Sequence, residues 1–576
     1  MEMKTDSMGH RLIARLFGCG IVRMTGFLVF LIAPVAAIPA EPTPLMKIRL
    51  RAPHTADDAQ WAKTFKALVE NPGCCDEVWF STGIGLPKLS DHMANVERLK
   101  RYAAQLREKR IVPSLQVQAT LGHSDSISAL ESNEAKNWGG FMGRGGIEAK
   151  YCSCPRQPAF LAYEREMARI YAAFGPSSVW IDDDLRICGH APASPWNKMS
   201  DGWIGCWCSR CIADFNRETG GRWTRETLDV AAAKNPVLFA RWVVFSESSI
   251  VEVARTIAAA FHEVSPKTRV AFQHSSGIER DDGRLLRAMH EVTGLPVYSR
   301  PGGGAYFDCN PENQLQKAYA AAKKIRAIGK PEWIGTFCPE IETCPRAFGS
   351  RTAQGLFNEA LMSLACGMDS LSFLIMDTRS EDDAWYSKVL LGPLARARPL
   401  LEDYLDFNAD AEPAGLDVPL ELQINDVFKV AMLGVPILTG VGKAYGTLTK
   451  EDCVLGPLGS TTSRMIMDLR RKLDARSGGN CPVLVEEPTV GPVLPRVSAE
   501  GMLKSVAMFN CRIDRQAPVR LRLRGVRADV TEATWQAFRG ERVKLAVMRE
   551  GAEAFVTVPE ISAWNCGWLK LVIKAR

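Results

Sequence analysis

Eight times between about residues 46 and 400, a short apolar run rich in β-branched and aromatic residues gives way to a polar loop and then a helix-period stretch. The strand candidates are Ile48–Ala52, Glu77–Ser81, Val112–Gln118, Ser178–Asp183, Arg269–His274, Pro296–Arg300, Trp333–Cys338 and Leu371–Asp377. Helical periodicity marks Asp57–Glu70, Asp91–Lys109, Phe160–Phe174, Pro236–Val264, Pro311–Gly329 and Ala353–Ala365. Eight strand–helix units in series predict a (β/α)8 TIM barrel over residues 41–405. A doubly wound sheet is the other fold for such a series, but no glycine-rich phosphate loop follows the first strand.

Past about residue 405 the rhythm changes. Val427–Leu438 reads as a buried strand and Arg464–Leu473 as a helix, so residues 406–500 are expected to form a reduced α/β domain. From Gly501 the runs VAMFN, PVRLRLRGV, ERVKLAVM, AFVTVP and WLKLVI alternate apolar and polar residues, which predicts a small antiparallel β domain over 501–576. Ahead of the barrel, Arg11, Arg15 and Arg23 precede a short apolar stretch ending in Ala36-Ala37, then a Pro-rich segment. That is the pattern of a secretory signal peptide over residues 1–40, which predicts an exported, periplasmic or extracellular protein. The stretch is shorter than the roughly 20 residues a membrane span needs, so no stable span is expected. A net charge of +6 on 576 residues gives no electrostatic footprint for nucleic acid.

Polar residues gather where the strands end: Asp182-Asp183-Asp184, His274, Arg300, Glu340, Glu342 and Asp377. In a barrel that rim carries the active site. Three aspartates at one strand tip repel one another, and Arg186 is the expected counter-charge. One of the three carboxyls could thereby be kept protonated as an acid; a salt-bridged loop or a metal clip are the other readings. Glu340 and Glu342, two apart, share one side of strand seven. Carboxylates on strands four and seven, facing each other across the mouth, suit glycosidic-bond cleavage, where a retaining pair stands about 5 Å apart. His274 and Arg300 are expected to bind sugar hydroxyls, and Trp203 and Trp385 to offer stacking faces.

The cysteines are clustered. Of 17, six (Cys152, Cys154, Cys188, Cys206, Cys208 and Cys211) fall within about sixty residues. Cys206-x-Cys208-x-x-Cys211 follows strand four, and Cys152 and Cys154 follow strand three. Four thiolates make a tetrahedral structural zinc site, with Cys154 or Cys152 as the fourth ligand; disulfides are the alternative in an exported chain. The loops after these two strands are long, about 40 and about 50 residues, and such insertions generally carry function or their own stabilisation. No organic cofactor is indicated.

These motifs together (CPRQP, WIDDD, CWCSRC and IETCP) resemble family 42 glycoside hydrolases, retaining β-galactosidases of the (β/α)8 clan. The resemblance covers the three-part layout and is motif-specific across about residues 152–345. It implies Cys154, Cys206, Cys208 and Cys211 as zinc ligands, Asp184 as acid/base and Glu342 as nucleophile, with Asp182 and Glu340 as their competitors. Tyr298, on strand six, would hydrogen-bond the nucleophile, and Asp183 would meet the sugar 2-hydroxyl. Two departures stand out. Asp184 is one methylene shorter than the family's Glu, which also allows a wider carboxylate gap and inversion. Asp183 replaces the family's Asn. The galactose preference is therefore not carried over. The expected activity is exported glycoside hydrolysis on a carbohydrate substrate, by a monomer or homo-oligomer. The rival readings are a carbohydrate-binding barrel that has lost hydrolysis and, more remotely, a metal-dependent hydrolase using the aspartates.

Overall fold

The computed structural model describes residues 44–122, 133–186, 205–274, 282–308, 311–329, 331–343, 349–376, 386–455 and 462–572. The signal segment, Cys188, Trp203, Asp377 and Trp385 lie outside the described residues.

The barrel is present, in the expected order. Its strands are Met46–Arg49, Glu77–Ser81, Val112–Val117, Ser178–Ile181, Arg269–His274, Val297–Pro301, Ile334–Phe337 continued by Glu340–Glu342, and Leu371–Leu374. Each pairs in parallel with the next, and the eighth pairs with the first. The seventh strand is interrupted at Cys338-Pro339, because proline has no N–H to give a ladder. Its first half pairs with strand six and its second half with strand eight, which closes the ring. Helices Asp58–Val69, Leu89–Glu108, Phe160-containing Pro158–Ala172, Pro236–Val264, Asp282–Thr293, Pro311–Ile328 and Ala353–Ala365 surround it. Their apolar stripes meet the outward-facing strand residues, such as Val78, Phe80, Ile181, Phe272 and Phe373, in one continuous core.

The barrel interior is polar at both ends and aromatic between. At the bottom Glu77 accepts from Ser178 Oγ at 2.6 Å and from the Trp79 indole at 2.9 Å. Trp180 Nε1 donates to Ser178 Oγ at 2.7 Å. Above, Trp79 and Trp180 stack with centroids 4.1 Å apart, joined by Ala271, Cys338 and Tyr298. This apolar plug is the floor on which the upper polar layer stands.

Val427–Leu438 is not a strand. Ile424–Met432 is a helix that buries Val427, Phe428, Val430, Ala431 and Met432, and only Ile437–Leu438 is extended. The stretch Val427–Leu438 carries one charge, Lys429, among apolar residues, and so short an apolar run does not separate a helix from a strand in sequence. The helix Ser463–Arg476 is as expected. Strand Ala411–Asp417 pairs in parallel with Ile437–Leu438 and Lys443–Thr447 and antiparallel with Val493–Ser498. The sheet continues through Leu503–Phe509, Cys566–Val572, Glu532–Ala537 and Arg542–Ala546. A four-stranded sheet holding Val519–Leu523 and Glu553–Val558 covers it, and Leu521, Val556, Trp535 and Leu569 share a second core. Among the described residues no helix is long and apolar enough to cross a membrane.

Candidate active site

Two-residue alternation decides which strand-end side chains enter the barrel. Trp180 points inward, so Asp182 does too, directly above the tryptophan pair. The same rule brings in Arg49, Gln116, Gln118, Gln273, Arg300 and Glu340. These residues form a buried polar layer at the C-terminal end of the strands.

Within it, Arg49 Nε donates to Gln116 Oε1 at 2.8 Å and its Nη1 lies 3.2 Å from Glu342 Oε2. Gln118 takes a hydrogen bond from Ser81 at 2.5 Å and gives one to Asp182 Oδ2 at 3.3 Å. Arg300, with no exposure at all, is ion-paired with Glu340. Glu340 also accepts from Tyr306 Oη at 3.0 Å and from the Gly303 N–H at 3.3 Å.

Two inward carboxyls of this layer, Asp182 and Glu340, are driven apart. Burial pushes Asp182 up, the neighbouring Asp183 and Asp184 push it further, and Arg49 and Arg300 only partly offset this, leaving it at about 7. Burial acts upward on Glu340 as well. There the charges of Arg300, Arg49 and Lys317 win, and the carboxyl is held at about 2. Burial and the charge of Glu340 raise the Tyr306 phenol, which therefore stays protonated and donates. Near neutral pH this layer contains a carboxyl that can release a proton and a carboxylate that cannot readily take one. That is the division of labour acid–base chemistry needs.

The remaining expected residues sit elsewhere around this layer. Asp184 is buried and paired with Arg186 at 3.0 Å, so the anticipated counter-charge is in place. Asp183, between them, is partly exposed. Glu342 is the outer of the two strand-seven carboxylates and less buried than Glu340. Tyr298 lies lower, in the aromatic plug, 6.0 Å from Trp180. Tyr306, in the loop after strand six, brings its phenol to the strand-seven glutamate Glu340. His274 is a correction. It faces away from the barrel axis, edge-on to Phe272 at 4.8 Å and bonded to Ser299 at 2.9 Å; the inward residue there is Gln273. Arg49 and Tyr306 escaped the sequence reading. The signal for Arg49 was present: Lys47 and Arg49 alternate with apolar residues in a strand whose every residue is buried.

Beside the mouth, Cys154, Cys206, Cys208 and Cys211 bring their sulfurs within 4.8 Å of one another, all buried. Cys154 Sγ lies 3.5 Å from Cys211 Sγ and 3.6 Å from Cys208 Sγ. A disulfide bond is about 2.05 Å long. Four sulfurs around a tetrahedral zinc, each at about 2.3 Å, stand about 3.8 Å apart, so the set fits that ion. Cys152 is not in the set. The cluster is built by a hairpin, Gly140–Met142 with Glu148–Ser153, laid on the start of helix Ser209–Thr219. Met142 N–H donates to Cys206 Sγ at 3.4 Å, and Trp207 N–H to Met142 O at 2.8 Å. Trp207, Phe215, Trp242 and Phe245 wall it from water.

No family model matches the chain, and no curated protein sequence is similar to it. Solved structures are. Alpha-L-fucosidase isoenzyme 2 from Paenibacillus thiaminolyticus superposes with a TM-score of 0.58 at 10% identity, covering 92% of this chain and 100% of that one. A GH42 beta-galactosidase from G. stearothermophilus, in a catalytic mutant form, gives 0.57 at 8% identity over 92% and 98%. A beta-galactosidase from Bacillus circulans sp. alkalophilus gives 0.56 at 10% over 92% and 99%. The chain thus has the glycosidase-type fold along almost its whole length.

Proposed function

We propose that the chain is an exported glycoside hydrolase that works with two carboxyls across the barrel mouth. Asp182 donates the proton to the departing glycosidic oxygen. Glu340 serves as the anion that attacks the anomeric carbon or positions water. The observation that carries this reading is the opposite perturbation of two carboxyls in one buried layer, near 7 and near 2. The glycosidase-type fold supports it.

In the motif comparison these roles fall on Asp184 and Glu342. Arg186 pairs with Asp184 at 3.0 Å, an arrangement that suits bracing the strand-four turn. Arg49 pairs with Glu342, which leaves it the competitor for the anion role. In this reading Asp183, partly exposed, and Glu342 meet the sugar hydroxyls. Zinc on the four thiolates is structural, since four protein ligands leave no open position.

Turnover of a panel of aryl glycosides tests the proposal. Asp182→Asn should spare substrates with good leaving groups and lose the others, and Glu340→Gln should lose both. If Asp184→Asn and Glu342→Gln are the dead variants while these two stay active, the mechanism holds with the outer pair. If all four retain wild-type turnover, or wild type cleaves nothing, the reading fails and a carbohydrate-binding barrel takes its place.

A further inference from the structure

We propose that Lys317 is a positioning residue for the strand-seven carboxylate: from beneath the loop 302–308 it holds Tyr306 against Glu340. The proposal rests on the two-carboxylate reading above.

The loop after strand six runs between Glu340 and helix Pro311–Ile328. Its glycines are required by crowding. A Cβ on Gly302 would stand 2.3 Å from His274 O and 3.2 Å from Glu340 Oε2. One on Gly303 would stand 2.0 Å from Lys317 Cγ. Ala305 adopts a left-handed φ of 57°, an uncommon conformation for a residue with a Cβ. The loop is therefore drawn tightly down onto Lys317.

Lys317 is 3% exposed. Its ammonium lies 5.4 Å from the Tyr306 ring centroid and 3.5 Å from Ala305 O, and it is ion-paired with Glu359. Glu359, equally buried, takes a second bond from Arg351 at 2.6 Å. Arg351 Nε stands 3.4 Å from Asp308, at the far end of the loop. Asp308 accepts from the N–H and Oγ1 of Thr352, both at 2.6 Å, and from Gln314 at 2.9 Å. Two cations and two anions thus pin both ends of a seven-residue segment. Buried ion pairs generally stabilise no better than apolar side chains of similar volume. What this quartet supplies is one fixed loop conformation, and Tyr306 is the loop side chain that hydrogen-bonds Glu340, beside the Gly303 N–H.

The groups that face Glu340 include Arg300 from strand six, Arg49 from strand one, Tyr306 and the Gly303 N–H from the loop, and Lys317 from the helix. Lys317 therefore acts twice. It sets the Tyr306 hydrogen bond, and its charge helps keep Glu340 ionised.

Lys317→Met in the full chain separates this from a purely structural role, because Arg351 still pairs with Glu359. We expect kcat on an aryl glycoside to fall about tenfold or more with KM within about twofold, as when one preorganised donor is lost. The acid limb of kcat/KM should move to higher pH. Adding Tyr306→Phe should cost little more, although Tyr306→Phe alone costs about as much as Lys317→Met. In the crystal structure of the variant, Tyr306 Oη should have left Glu340. An unmoved acid limb, additive losses, or a Tyr306–Glu340 bond that persists in that crystal structure each overturn the proposal. If Lys317→Met does not fold, Lys317→Met/Glu359→Gln removes both charges and is read the same way. Wild-type turnover in Glu340→Gln would sink the assignment of the anion role to Glu340 instead, and the crystallographic result would still decide the role of Lys317.

Discussion

Asp182 and Glu340 enter one buried layer from strands four and seven, both feel Arg49 and Arg300, and yet are held at about 7 and about 2. The difference lies in what each touches. Asp182 has two aspartates for chain neighbours and a neutral amide for a partner. Glu340 has a guanidinium, a phenol and a backbone N–H. Activity that needs Asp182 protonated and Glu340 ionised falls as pH rises through about 7 and holds down to strongly acidic pH. A kcat/KM profile on a substrate with a poor leaving group checks this. The basic limb should vanish in Asp182→Asn along with most of the rate, and a limb that persists there belongs to another group.

The same carboxyl makes stability depend on pH, with a sign fixed by linkage. Its folded value lies above the ordinary aspartate value of 3.8. Between those values the folded state binds the proton and the unfolded state does not, so stability falls as pH rises from about 4 to about 7. Above that range the folded protein carries a buried anion at a cost. Asp182→Asn removes the cost. Thermal denaturation should show the variant more stable than wild type at pH 8, with the gap closing toward pH 4. A constant gap across that range would contradict the assignment.

Glu340 and Arg300 should depend on each other. Arg300 has no exposure, and removing the carboxylate of its ion pair leaves a buried cation. Such a loss typically costs about 3–5 kcal/mol. Glu340→Gln should therefore be less stable in denaturant titrations as well as inactive, and Arg300→Met added to it should recover part of the stability without activity. Additive destabilisation by the two substitutions would mean that the pair is not coupled.

Much of this could be read from the chain, and the failures share a cause. Strands such as Glu77–Ser81 and Arg269–His274, and the helices Pro236–Val264 and Ala353–Ala365, fall where periodicity put them. Their length and the polar loops that bound them mark these elements even where, as in Glu77–Ser81 and Ala353–Ala365, nearly every residue is buried. Periodicity fails for Ile424–Met432, where Asn425, Asp426 and Lys429 mark an exposed side but the apolar run continues past the helix into Ile437–Leu438. Strand-end position placed Asp182, Asp184, Glu340 and Glu342 together at the barrel mouth, but which of them meets Arg300 and which meets Arg186 has no pattern in the sequence. His274 was misplaced by one residue of alternation, enough to turn a side chain from the mouth to the outer core. Tyr306 lies in a loop with no period at all, and only the packing of Gly303 on Lys317 reveals where it points.

The thiol cluster gives the last prediction. Four buried sulfurs at zinc spacing, with a backbone N–H donating to one of them, should bind one zinc per chain, and metal analysis of purified protein should find it. Structural zinc is worth about 10–16 kcal/mol in small folding units, so its loss is felt where the ligands act as cross-links. Cys154 joins the loop after strand three to Cys206, Cys208 and Cys211 after strand four, beside the contacts of Met142 with Cys206 and Trp207, the Arg144–Asp229 ion pair and the bond from Arg225 to Arg144 O. Chelation, or Cys208→Ser, should speed proteolytic cutting within residues 133–157 and 205–235 first, while the barrel core around Trp79 and Trp180 still melts cooperatively. Activity should decline with the loops rather than at once, because no thiolate faces Asp182 or Glu340. Recovery of these four cysteines as disulfides, with no bound zinc, would end the proposal.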